Sequence, residues 1–142
     1  MALTCREYSE KFATYIFERH PEWKELGRFE DSGVLVIEVP SPNHSALTGL
    51  LIDTDNEEVT VGFDMFHTHF FMEEEDEKNF EQALDFIDGL LREEYVVLVY
   101  MQADKWTGSR CSSLEGPWPL PEKGQRRYIR SWLGTYDAEM VN

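Results

Sequence analysis

Two histidines one residue apart, His67-Thr68-His69, and five consecutive carboxylates, Glu73-Glu-Glu-Asp-Glu77, are the groups in this chain whose types and spacing could do chemistry. On an extended strand, residues i and i+2 project to one side, so both imidazoles could reach one metal ion at about 2.0–2.1 Å. A catalytic zinc needs a third protein ligand. His44, Asp64, Glu38 and Cys111 qualify by type, although Asp64 should point to the opposite face of the strand. There is no H-E-x-x-H and no paired C-x-x-C. The plainer reading has both rings capping an apolar strand face, hydrogen-bonded to carboxylates of the next helix. His67 and His69 are therefore a fallback metal pair, the basis of an alternative reading as a metal-dependent hydrolase. No catalytic residue, metal or cofactor is assigned.

Other reactive types are less well placed. Ser112-Ser113 lacks the G-x-S-x-G elbow. Cys111 reads as a strand cysteine, and Cys5 and Cys111 read as two free thiols rather than a disulfide. The nine glycines form no phosphate-binding loop. Arg126, Arg127, Tyr128, Arg130 and Trp132 faintly resemble a nucleic-acid stripe, but a net charge of −15 opposes it. Those arginines are expected to pair with the acidic helix instead.

The acidic run is the strongest functional candidate. Five adjacent carboxylates repel one another and exceed what a helix start requires. They are either a solvated charge block or a landing pad for a basic protein surface, with Phe70, Phe71 or Phe86 as apolar anchor. The candidate partner-binding set is Glu73, Glu74, Glu75, Asp76 and Glu77, joined by Glu81, Asp85 and Phe86 of the following helix. Charge along the chain agrees with this choice: residues 73–94 carry 10 acidic and 2 basic side chains, whereas residues 95–142 carry 5 and 6. Such a field repels nucleic acid and anionic membranes and speeds encounter with a basic protein. No apolar run reaches the length of a membrane span, and no signal-peptide pattern opens the chain, so a cytoplasmic location is expected.

The elements that must position these groups can be read in order. Thr4-x-x-Glu7 is a capping box, and Tyr8, Phe12, Tyr15 and Ile16 share one face of a helix over about 5–19 that Pro21 ends. His20 is expected to face solvent. Residues 21–27 could add a helical turn anchored by Trp23 and Leu26. Strands are expected at 34–39 and 47–53, with a turn at Asp53–Glu57. A third, long strand over about 58–71 reads as continuous, with a bulge or bend near Gly62. It places Val59, Val61, Phe63, Met65, His67, His69 and Phe71 on one face. Phe80, Ala83, Leu84, Ile87, Leu90 and Leu91 then define a helix over about 75–93. The unbroken run Tyr95–Met101 predicts a central strand buried on both faces. Strands at 110–114 and 125–132 follow, separated by a rigid proline-rich loop. The 142 residues are read as one α+β domain: a single twisted antiparallel sheet of about six strands, two helices on one face, in the order α-β-β-β-α-β-β-β.

Taken together, Val61-Gly-Phe-Asp-Met-Phe-His-Thr-His-Phe70, the acidic helix and Arg130-Ser-Trp-Leu-Gly-Thr-Tyr-Asp137 resemble small acidic immunity proteins of bacterial polymorphic-toxin and contact-dependent inhibition systems. The similarity spans about residues 56–137. It implies a non-enzymatic, cytoplasmic protein that binds and blocks a cognate toxin, often a nuclease. An adaptor subunit of a larger assembly is a further alternative, and the oligomeric state stays open.

Overall fold

The computed structural model describes residues 3–142. Two α-helices, α1 (Cys5–Arg19) and α2 (Asp76–Leu91), accompany nine strands. Strands β1 (Gly27–Phe29), β2 (Leu35–Val39), β3 (Leu50–Asp53), β4 (Val59–Phe63) and β5 (Phe66–Phe70) form one sheet in the order β1-β2-β3-β4-β5. Strands β6 (Tyr95–Gln102), β7 (Lys105–Ser113), β8 (Gln125–Arg130) and β9 (Ala138–Val141) form a second, in the order β7-β6-β8-β9. The expectation of one six-stranded sheet is thus corrected to antiparallel sheets of five and four strands in an α+β fold. Strands β1 and β9 were absent from the sequence reading. Both are short, and β9 is exposed along its whole length, so neither shows an apolar alternation. No helix among the described residues is long and apolar enough to cross a membrane.

The chain divides into two compact units: residues 1–40, 49–62 and 67–87, and residues 41–48, 63–66 and 88–142. In the first unit the Thr4 capping box forms as expected, with the Thr4 hydroxyl accepting from the Glu7 amide. The residues Tyr8, Phe12 and Ile16 are buried. Their partner is Phe80 of α2, whose ring centroid lies 5.3 Å from those of Tyr8, Phe12 and Tyr15. Contacts advance along both helices together: Lys11 pairs with Glu77, and Arg19 with Asp85, so α1 and α2 run in the same direction. On β2, β3 and β4 the residues Leu35, Ile37, Leu50, Ile52, Val59 and Val61 are buried. The Ser9 hydroxyl meets that of Thr54 at 2.6 Å, and Thr54 in turn accepts from the Leu35 amide, which ties α1 to the sheet.

Two local expectations change here. Pro21–Leu26 is a 3-10 turn with Trp23 buried, but Leu26 is exposed, so Trp23 alone anchors it. His20 does not point into solvent: its ring stacks on Trp23 at 4.0 Å and 11°. The turn expected at Asp53–Glu57 is present as a short 3-10 segment, in which Asp53 accepts from the Asp55 amide.

In the second unit β6 is the central strand that its apolar run predicted, with Val96, Val97, Leu98 and Val99 all buried. Val96 and Leu98 pack with Ile129, and Tyr100 and Trp118 lie against them. The proline-rich loop is held down by the Tyr100 hydroxyl donating to the Pro119 carbonyl and by Arg127 donating to the carbonyls of Trp118 and Pro119. Arg126 pairs with Glu139, and Arg130 with Asp137 and the Ser45 carbonyl. The pairing of these arginines with the acidic helix is therefore corrected: their partners lie in their own unit.

The end of α2 is built on a charged residue where glycine is usual. The Glu94 amide donates to the Gly89 carbonyl and the Glu93 amide to that of Leu90, a Schellman closure with Glu93 at φ 59. The strain of that left-handed residue is offset by its side chain. The Glu93 carboxylate accepts from the amides of Leu133 and Thr135 and from the Thr135 hydroxyl. Burial disfavours its charged form, but hydrogen bonds from Ser131, Thr135 and Leu133 outweigh that and hold the carboxyl below the ordinary 4.5.

Two stability outcomes follow. Phe80→Ala should lower the unfolding free energy by about 3–5 kcal/mol in urea titration, because three aromatic neighbours lose their common partner. Glu93→Gln should destabilise by about 1–3 kcal/mol at neutral pH. Because folding depresses this pKa, the wild-type advantage is complete above the ordinary value of 4.5 and disappears as pH falls through the folded value, so the two urea midpoints should converge in acid.

Candidate functional site

The segment expected as one long strand is a hairpin. Strand β4 ends at Phe63, residues 64 and 65 form the turn, and β5 begins at Phe66. Asp64 takes a left-handed φ of 55. Aspartate tolerates that region because its side chain can bond locally. Here the Asp64 carboxylate accepts from the amides of Met65 at 2.8 Å and Leu47 at 2.9 Å, and from the Tyr128 hydroxyl at 3.1 Å. Burial, with the Asp64 charge beside it, pushes the Tyr128 hydroxyl up to about 12.

The reversal changes which way the histidines face. Val59, Val61 and Phe63 are buried as the alternation predicted, but the stripe does not continue through Met65 to His67 and His69. On β5 it is Phe66, Thr68 and Phe70 that are half-buried, and both histidines are exposed. Their rings meet edge to face at 5.2 Å. The Nδ1 atom of His69 lies 2.8 Å from the Thr60 hydroxyl and 3.2 Å from Glu58. The expected carboxylate partner is thus present, but it comes from the residue just before β4 and not from α2.

Of the third-ligand candidates, Asp64 is engaged by three donors and Glu38 pairs with Arg28 at 3.6 Å. Burial pushes the Cys111 thiol up to about 12. That keeps it protonated and a poor ligand or nucleophile at neutral pH. Cys5 and Cys111 are both free. Among the described residues no group of three or more His, Cys, Asp or Glu could hold a metal ion.

The acidic set separates into engaged and unengaged members. Glu77 pairs with Lys11, and its carboxyl is held below the ordinary value, first by that hydrogen bond. Asp85 pairs with Arg19 at 3.0 Å while its side chain stays 77% exposed. Glu73 accepts from Gln82. Asp76 is half-buried at the first turn of α2, where the helix dipole favours negative charge. Glu74, Glu75 and Glu81 are exposed and have no cationic or hydrogen-bonding partner for their side chains among the described residues. Phe86 is not a bare anchor; its ring packs on Phe70 at 5.7 Å.

Asn79 explains why the run sits as it does. Its buried side-chain amide donates to the Glu73 carbonyl and accepts from the Glu73 amide, which fixes the entry to α2. The chain just before that clamp projects Phe71, 53% exposed, and Met72, 80% exposed. Sequence reasoning named Phe71 among three possible anchors and missed Met72. Its one signal was a large apolar residue lying outside both the strand alternation and the helix stripe.

The first unit holds 19 acidic and 6 basic side chains, net −13, and the second 9 and 7, net −2. The field is therefore a property of the unit that carries most of α2 and of β5. No protein-family model, curated protein or solved structure matches the chain.

Unpartnered like charges destabilise the body that carries them. Neutralising Glu81, which lies beyond the first turn of α2 and so outside the reach of its dipole, to Gln should leave the thermal unfolding midpoint unchanged or raised, most visibly at low salt. A lowered midpoint would mean that this group helps to hold the fold together.

Proposed function

We propose that this protein is a non-enzymatic binding module that engages a basic protein partner through the start and outer face of α2. The observation that carries the reading is the surface made by Glu74, Glu75 and Glu81, carboxylates without cationic partners, beside exposed Phe71 and Met72. Charge of this kind raises the encounter rate with a cationic surface, and apolar side chains at its border supply contact area once docked. Glu73, Asp76, Glu77, Asp85 and Phe86 extend the patch, although Glu77, Asp85 and Phe86 also hold α2 in place through Lys11, Arg19 and Phe70.

The resemblance to small acidic immunity proteins gives the partner a class: a cognate bacterial toxin whose cationic, substrate-binding surface is occluded in the cytoplasm of the producing cell. Net charge of −13 on the binding unit argues against nucleic acid as the direct ligand.

The test is capture of the partner from the native host with the full chain, followed by association kinetics of the purified pair. Glu73, Glu74 and Glu75 together replaced by Gln should slow association by about tenfold or more at low ionic strength and flatten the salt dependence. An unchanged on-rate and salt slope would exclude this surface.

A further inference from the structure

The outermost strand of a sheet presents unpaired N–H and C=O groups, and proteins usually blunt such edges with short strands, lysines, prolines or bulges. The two edges of the five-stranded sheet differ in this respect. Strand β1 is three residues long and carries Arg28, which reaches Glu38 on the neighbouring β2. Strand β5 is five residues long, contains neither lysine nor proline, and is last in the strand order. Its exposed residues are two histidines, and it runs directly into Phe71, Met72 and the acidic run. Carboxylates flank it at both levels: Glu58 beside His69 at 3.2 Å, and Glu73–Glu75 beyond its C-terminal end.

We infer that the β5 edge over His67–Phe71 takes up an extended, basic segment of the partner as an added strand. Main-chain hydrogen bonds would supply register and affinity, and lysine or arginine side chains would meet Glu58 and Glu73–Glu75. Charge selects this occupant over a second copy of the chain, because pairing two β5 edges would bring together two units that each carry −13. The inference rests on the acidic-surface reading above and adds to it the backbone mode of recognition.

A labelled ten-residue peptide of alternating valine and lysine is the probe, titrated into the full-length protein by fluorescence anisotropy. Three comparisons accompany it: the same peptide N-methylated at every second residue, a valine–glutamate peptide, and hydrogen exchange of the protein with and without the valine–lysine peptide. The valine–lysine peptide should bind and slow exchange of the amides of residues 67–70. N-methylation, which keeps charge and side chains but removes ladder donors, should weaken binding by about tenfold or more. The valine–glutamate peptide should not bind. Absence of binding by the valine–lysine peptide would overturn the inference, as would unchanged exchange in β5. Equal affinity of the methylated peptide would overturn strand addition while leaving the acidic-surface reading, which the partner kinetics judge separately.

Discussion

The first unit depends on one aromatic junction. Phe80, near the start of α2, is fully buried, with the rings of Tyr8, Phe12 and Tyr15 all 5.3 Å away. That spacing lies in the range where edge-to-face and tilted pairs are favourable, each adding about 0.5–1.5 kcal/mol beyond the area they bury. The junction fixes more than stability. It sets the rotation of α2 about its own axis, and so decides that Glu81 is turned outward while Ala83, Leu84 and Ile87 are buried. Residues three and four apart share a helix face, so anchoring Phe80 leaves no freedom for Glu81. The candidate binding surface is in this sense the far side of a packing contact.

Carboxylates in this protein play two opposite parts. Asp64 and Glu93 both sit in the left-handed region, where a non-glycine side chain is strained, and each accepts three hydrogen bonds: all of Glu93's, and two of Asp64's, come from segments distant in sequence, and the third at Asp64 is the amide of Met65. Their charge is satisfied internally and organises turns. Glu74, Glu75 and Glu81 have no such donors and repel one another, a repulsion that only the dipole at the start of α2 offsets at Glu74 and Glu75. A chain of net −15 could have distributed its excess evenly. It instead leaves the unsatisfied charge on the unit containing α2 and gives the second unit nearly balanced charge, with Arg126 and Arg130 neutralised by Glu139 and Asp137. Retaining repulsive groups in one place makes physical sense where something outside the chain supplies the cations.

The helices were legible because their signals are local. A capping box, a proline stop and an apolar stripe of period 3.6 each involve residues within one or two turns, and α1 and α2 both appear within a residue or two of where the pattern put them. The same holds for β6, whose run of consecutive valines and leucine has few other ways to be buried. The failures are non-local. The reading of 58–71 as one strand missed the reversal at Asp64 because two of the three donors that hold this left-handed aspartate, Leu47 and Tyr128, lie 17 and 64 residues away in sequence. That single turn moved His67 and His69 from an apolar stripe to an exposed strand edge.

From its sequence alone, then, this protein is an acidic α+β chain with two amphipathic helices, short antiparallel connections and a dense carboxylate run beginning the second helix, since propensity, period and charge are carried by neighbouring residues. Tertiary structure alone decided that the strands divide into sheets of five and four. It also decided which carboxylates are held and which stay unmatched, and that β5 is an edge. Each of those depends on groups meeting across tens of residues, and the hydrogen-bonding partner of a buried side chain leaves no imprint at its own position in the sequence.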